Sequence, residues 1–286
     1  MADYIKVEIE FLNNEQKEIL IALLSAINYE GFEEEGDLLK AYIHSSQLDL
    51  RALNSIAADH DFSFSIQDVP NENWNQLWES HFEPVIINHR VENVPWIGVR
   101  ADFHPRIRGV LHEIIITPKM SFGTGHHPTT AMMMKMMSEF DFANKTVLDF
   151  GTGTGILAIL SEKLGAESVV AIDHDDHSVP NATENLKLNG CQKVELQQAS
   201  TAIGKGRYDI VLANIIKSVI LENLVHFANQ LNSSGIIVLS GLIKGDESEI
   251  LSAAAKNRLI LAKKITIEEW ICICLTHNLY VSHTIN

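Results

Sequence analysis

"VLDFGTGTGILAIL", residues 147–160, decides how the rest of the chain is read. An apolar, strand-like run from Val147 to Phe150 breaks into a glycine-rich turn, and the turn opens a run with helical character. Strand, glycine turn and helix in that order commonly hold a nucleotide-like ligand, and three ligand classes compete here. A dinucleotide fold wants G-x-G-x-x-G; Gly151 and Gly153 fit, but the third position is Ile156. A phosphate-binding P-loop wants G-x-x-x-x-G-K-[ST], and no lysine follows. What stands instead is an acidic residue and then G-x-G-x-G: Asp149, Gly151, Gly153 and Gly155. Small residues let backbone approach a ligand closely. Asp149 suits a cationic ligand group better than a phosphate.

The next strand-like segment, "SVVAID", ends in Asp173, 22 residues after Gly151. A carboxylate there accepts hydrogen bonds from both hydroxyls of a ribose. The third landmark is "YDIVLANII", a strand with Asn214 at its C-terminal end, the edge where such sheets carry their sites. An adenosyl group, a cation and no pyrophosphate describe S-adenosylmethionine. The loop "MSFGTGHHPTT", residues 120–130, reads as a lid over that cofactor. Gly123 and Gly125 make it flexible; Thr129 and Thr130 bring hydroxyls, with Thr130 near the next helix start. His126 and His127 have no Cys or Glu at ligand spacing, so no metal is expected. "AMMMKMM" behind the loop reads as adaptable helix packing.

Outward from this centre, strands alternate with helices: 146–150, 168–172, 193–197, 208–213, 235–240 and a last strand near 270–275. That order predicts an α/β domain with a mostly parallel, doubly wound sheet over residues 85–286, with "PWIGVR" and "HEIIIT" as strands ahead of it. Residues 1–69 read differently. "YIKVEIEF" alternates; Asn13 with Gln16 marks a helix start before "EILIALLSAI", and Gly31 follows that helix. "FEEEG" and "LLKAYIH" are short strands, "LDLRALNSIAADH" a helix and "FSFSIQDV" a strand. The order βαββαβ predicts a ferredoxin-like α+β domain. Between the two, residues 70–84 form a linker. In it Trp74, Leu77, Trp78, His81 and Phe82 share one helical face, and Pro84 ends the helix.

Bulk properties narrow the setting. With 46% hydrophobic residues in 286, one large or two small globular domains are expected. No stretch is long and apolar enough to span a membrane, and "MADYIKVEIEF" lacks the basic-then-apolar pattern of a secretory signal. Three cysteines are too few for a disulfide framework. Cys272 and Cys274 share one face of a strand in "EEWICICL" and read as buried, reduced thiols. A cytoplasmic monomer is expected. Of the net charge of −15, nearly all lies early: residues 1–84 hold 17 Asp and Glu against 4 Lys and Arg, and the remainder 20 against 18. Such a surface repels nucleic-acid phosphates and attracts a basic partner, so neither nucleic acid nor a membrane is expected as a partner.

Taken together, "FGTGHHPTT", "VLDFGTGTGILAI", "AIDHDD", "VLANII" and the late "EEW" resemble bacterial ribosomal protein L11 methyltransferases, the PrmA family. The acidic βαββαβ module and the linker "ENWNQLWESHFEP" match that layout, so the resemblance spans nearly the whole chain. It implies methylation of lysine side chains and the N-terminal amine of ribosomal protein L11, a basic substrate gripped by the N-terminal module while the linker repositions it. It also places cofactor contacts on Thr130, Gly151, Asp173 and Asn214, alongside Gly153 of the glycine turn. Two positions depart from the pattern: Lys119, where the family often has glycine, and Asp176, where it often has proline.

Within that reading Asn214 is the expected catalytic residue. No carboxylate neighbours it in "LANII" to hold an ammonium charged; its side chain instead accepts a hydrogen bond from the amine and aims the nitrogen lone pair. Enzymes that methylate planar amides or bases commonly carry N-P-P-[YF], whereas Ile215 and Ile216 follow Asn214. A flexible amine fits better than a nucleobase. The competing readings are a methyltransferase for another protein or small amine, a cofactor-binding assembly factor without catalysis, and, less well supported, a dehydrogenase.

Overall fold

The computed structural model describes residues 4–10, 14–29, 31–36, 38–60, 62–69, 82–90, 92–117, 125–202 and 206–277. The chain divides into two compact units, residues 1–80 and 81–286. The first contains β1 (Tyr4–Glu10), α1 (Asn14–Ala26), β2 (Gly31–Glu35), β3 (Leu38–His44), α2 (Leu50–Asp59) and β4 (Phe64–Val69). Its sheet runs β2-β3-β1-β4 with every pair antiparallel, a ferredoxin-like arrangement. Alternation decides the buried face: Val7 and Ile9 point the same way as Leu39, Ala41 and Ile43, and Leu20, Leu24 and Leu53 of the two helices cover them. The expected helix start at Asn13 lies outside the described residues. The turn after α1 is made by Asn28, in the left-handed region at φ 69°, and Gly31 already begins β2. Asp49 starts α2, its carboxylate accepting from the Arg51 and Ala52 amides at 2.9 and 3.1 Å.

The second unit opens with β5 (Val85–Asn88), β6 (Pro95–Ala101) and β7 (His112–Ile116), which form a small sheet in that order. There follow α3 (Pro128–Met137), β8 (Thr146–Phe150), α4 (Ile156–Lys163), β9 (Ser168–Asp173), α5 (Ser178–Leu188), β10 (Val194–Gln198) and β11 (Tyr208–Asn214). The unit ends with α6 (Lys217–Gln230), β12 (Leu231–Ile243), α7 (Glu247–Lys256), β13 (Ile260–Ile267) and β14 (Trp270–Thr276). Seven strands make one sheet, β10-β9-β8-β11-β12-β14-β13, parallel except for β14, which is antiparallel to both neighbours.

Period-two burial explains the double winding. Val147, Val169, Ile210, Leu212, Ile236, Val238, Cys272 and Cys274 face one layer, with the α3 methionines, Leu157 and Leu160 of α4, and Leu186 of α5. Leu148, Phe150, Val211, Ala213, Ile237, Leu239, Ile271 and Ile273 face the other, under Leu224 and Phe227 of α6 and Ile250 of α7. Met132, Met133, Met134, Met136 and Met137 are fully buried, as packing residues should be. Burial raises the Cys272 and Cys274 thiols, which are free and inert between sheet and helix.

Strand β13 was absent from the sequence reading. It is an edge strand whose Lys263 and Lys264 interrupt any apolar alternation, a pattern that also guards a sheet edge. Of the expected linker helix, residues 70–81 lie outside the described residues. Phe82, Glu83 and Pro84 are not helical, and Phe82 is buried in the core of the second unit. Among the described residues no helix is long and apolar enough to cross a membrane.

Candidate active site

The C-terminal ends of β8, β9 and β11 bring the expected residues to one edge of the sheet. After Phe150 the chain turns through Gly151, Gly153 and Gly155, each with positive φ (75°, 55° and 82°), and enters α4 at Ile156. Three left-handed positions in five residues are what the G-x-G-x-G spacing provides. The turn is tied to the neighbouring strand end: the Gly151 and Thr152 amides both donate to the Ile172 carbonyl, at 2.8 and 3.0 Å. The Gly153 amide donates to Asp173 Oδ2 at 2.8 Å.

Asp173 ends β9 and is 7% exposed, with Oδ1 also accepting from the Asp175 amide at 3.1 Å. Each oxygen has one protein donor and keeps capacity for another.

Asp149 has a different task from contacting a cation at the surface. It is fully buried; its Oδ2 accepts from the Thr152 hydroxyl at 2.6 Å and the Ala158 amide at 3.1 Å, so it braces the glycine turn from below. Its Oδ1 has no protein partner. Burial, reinforced by the nearby Asp173 charge and opposed by the two donors, pushes its carboxyl up to about 7.

Asn214 ends β11 opposite Ser240 of β12 and is 9% exposed. Its Nδ2 donates to the Thr130 Oγ1 at 3.2 Å, while its Oδ1 is buried with no hydrogen-bond partner among the described residues. Thr130 itself is fully buried in the first turn of α3. Pro128 opens that helix and His127 caps it, accepting from the Thr129 amide and packing edge-on against Trp270 at 4.7 Å. So α3 carries Thr130 to Asn214, 84 residues away in sequence.

Of the expected lid, residues 120–130, the part from 120 to 124 lies outside the described residues, as does Lys119. Its C-terminal end is anchored: Gly125 is buried beside Val99, and His126 Nε2 lies 2.9 Å from the Glu83 carbonyl. The two histidines therefore serve the chain path. Among the described residues no group of His, Cys, Asp or Glu is placed to hold a metal. Asp176, the other departure from the family pattern, accepts from Gln198 Nε2 on the surface.

Sequence reading missed one residue that organises this edge. Asn185 of α5 is fully buried; its Oδ1 accepts from the Thr117 amide at 2.7 Å and its Nδ2 donates to the Thr154 carbonyl at 2.8 Å. It joins Thr117, just past β7, to the glycine turn. A polar residue in an amphipathic helix carries no mark of such a role until the partners are seen. After β10 the Ala202 amide donates to Asn223 Oδ1 at 3.1 Å.

Asn214 Oδ1 and the unused capacity on Asp173 are the acceptors this edge leaves open, whereas Asp149 Oδ1 is sealed beneath the glycine turn. An unsatisfied buried acceptor costs about 1–3 kcal/mol. Ribose hydroxyls would supply donors to Asp173, and the glycine turn leaves backbone exposed beside them, so the residues present fit S-adenosylmethionine.

Comparison with known proteins agrees. The ribosomal protein L11 methyltransferase (PrmA) family profile matches residues 7–278. A ribosomal protein L11 methyltransferase of Porphyromonas gingivalis is 34% identical over 267 residues, covering 91% of this chain and 90% of the relative. One from Chlorobaculum tepidum is 32% identical over 278 residues, covering 93% and 94%. The crystal structure of a ribosomal protein L11 methylase from Lactobacillus delbrueckii subsp. bulgaricus superposes with a TM-score of 0.60 at 31% identity, covering 67% of this chain and 97% of that one. With a glycine turn, an acidic strand end and an Asn–Thr pair on one sheet edge, and a match running almost end to end, the chain belongs to the ribosomal protein L11 methyltransferase (PrmA) family of S-adenosylmethionine-dependent protein methyltransferases.

Proposed function

We propose that this protein methylates amines of ribosomal protein L11, the substrate its relatives are named for, at lysine side chains and at the N-terminal amine. The observation that carries the chemistry is the state of the Asn214 amide: held through Nδ2 by Thr130, buried, with Oδ1 left open. S-adenosylmethionine supplies an electrophilic methyl group on a sulfonium. Gly151 and Gly153 bring backbone to it, Asp173 takes the ribose, and Thr130 closes the site from α3.

The nucleophile must be a neutral amine, yet a free lysine has a pKa of about 10.4. Asn214 Oδ1 accepts one amine hydrogen without the negative charge that would favour the ammonium form. With the amide fixed by Thr130, the nitrogen lone pair is aimed, and positioning supplies much of the rate. The acidic N-terminal unit is the docking surface for the basic substrate, and the enzyme works as a cytoplasmic monomer without contacting nucleic acid.

The test is mass spectrometry of purified ribosomal protein L11 after incubation with this protein and S-adenosylmethionine. Gain in single-methyl steps on lysines and the N-terminus, slowed strongly but still measurable with Asn214→Ala while cofactor binding persists, is the expected result. No gain despite confirmed cofactor binding would move the activity to another amine.

A further inference from the structure

Asn214 is aimed by more than Thr130. The residue after it, Ile215, is wedged between two glycines on neighbouring elements. On one side lies Gly151 of the glycine turn: a Cβ there would collide with Ile215 Cγ2. On the other lies Gly241 of β12, with φ at 81° in the left-handed region. A Cβ at Gly241 would collide with the Ile215 carbonyl oxygen and stand 2.8 Å from its carbonyl carbon and 3.0 Å from its nitrogen.

These two contacts differ in kind. At Gly151 the obstacle is the end of a side chain, which can turn away. At Gly241 it is the backbone of the residue bonded to Asn214, which cannot move without moving Asn214. Gly241 also sits where the β12–β14 register breaks, between Leu239 and Leu242, so β12 bends at this residue. Just before the bend, the Ser240 carbonyl accepts from the Ile215 amide at 3.2 Å, and the Ser240 hydroxyl donates to the Ile271 carbonyl at 3.0 Å. The bend therefore holds the Ile215 backbone close against β12 at Gly241. The Asn214–Thr130 bond, at 3.2 Å, is already at the long end of the usual range, so a shift of about 0.5 Å would break it.

We infer that Gly241 is a positioning residue for methyl transfer: its missing side chain and left-handed backbone set the height of the Ile215 peptide and so the aim of the Asn214 amide. This rests on the orienting role proposed for Asn214.

The experiment is a double-mutant cycle with Gly241→Ala and Asn214→Ala, following kcat on L11 and cofactor affinity by calorimetry. Gly241→Ala should lower kcat about 100-fold, as expected for a misplacement on the ångström scale, with cofactor Kd changed less than about 3-fold. In the Asn214→Ala background the same change should have no further effect on kcat, because the group it aims is already gone.

Multiplying losses in the double mutant, or equal loss of kcat and cofactor affinity in the single one, would overturn the inference. Full activity in Asn214→Ala beside a slow Gly241→Ala would instead remove the role proposed for Asn214. If Gly241→Ala does not fold, Ile215→Ala takes its place. Freeing the same segment from Gly151 should cost about 10-fold in kcat and again be silent without Asn214. An undiminished kcat there would overturn the inference.

Discussion

Two residues carry charge and hydrogen-bonding predictions of their own. Asp149 has its carboxyl pushed up from 3.8 to about 7 by burial, so the folded state prefers it protonated. That preference adds stability below the unfolded value and is lost as pH rises through about 7. The ligand-free protein should therefore melt at a lower temperature at about pH 8 than at about pH 5. Asp149→Asn, which cannot ionise, should flatten that slope in a melting-temperature series. Thr130 is read through its hydroxyl. Thr130→Val removes the acceptor for Asn214 Nδ2 and should lower kcat about tenfold, whereas Thr130→Ser should keep activity near the parent level. Steady-state kinetics on the two variants separates the hydroxyl from the methyl group.

At the scale of elements, α5 binds the edge of the site together. Asn189 pairs with both the amide and the carbonyl of Ile115 in β7, at 3.0 and 2.6 Å, and Asn185 continues the contact to Thr117 and Thr154. Two side-chain amides thus act as an extra rung at the end of β7. Asn185→Ala leaves a buried amide and a buried carbonyl without partners. It should cost about 2 kcal/mol in denaturant unfolding, and weaken cofactor binding because the glycine turn loses one support. A calorimetric titration that found unchanged affinity would confine Asn185 to stability.

For the molecule as a whole, charge is the property most unevenly distributed. Residues 1–84 carry 17 acidic and 4 basic side chains, and in the described part of that region Glu10, Asp59 and Asp68 are exposed. Attraction of a basic protein to such a surface is screened over about 8–10 Å at physiological salt. The KM for L11 should rise several-fold between low and moderate salt while kcat stays level, since Asn214 and Thr130, the groups set to meet the substrate amine, are uncharged. An initial-rate series in sodium chloride tests this, and a salt-insensitive KM would remove the electrostatic docking role.

The sequence by itself determined whatever is local and periodic. Alternation marked β1 and β14, and short apolar runs marked β8, β9 and β11; glycine spacing marked the turn before α4; Asp173 and Asn214 declared themselves by standing at strand ends. These signals are legible because each is a short-range demand of backbone geometry on residue type.

Tertiary structure decided the rest. It reversed β14 between β12 and β13 and gave Lys263 and Lys264 an edge strand to sit on. Asp149 became the brace of the turn, and Thr130 came to Asn214 across 84 residues. Asn185 and Gly241 acquired their roles only from partners on other elements. A hydrogen bond or a steric limit between distant segments leaves no period in one sequence, because it depends on where folding places the second partner.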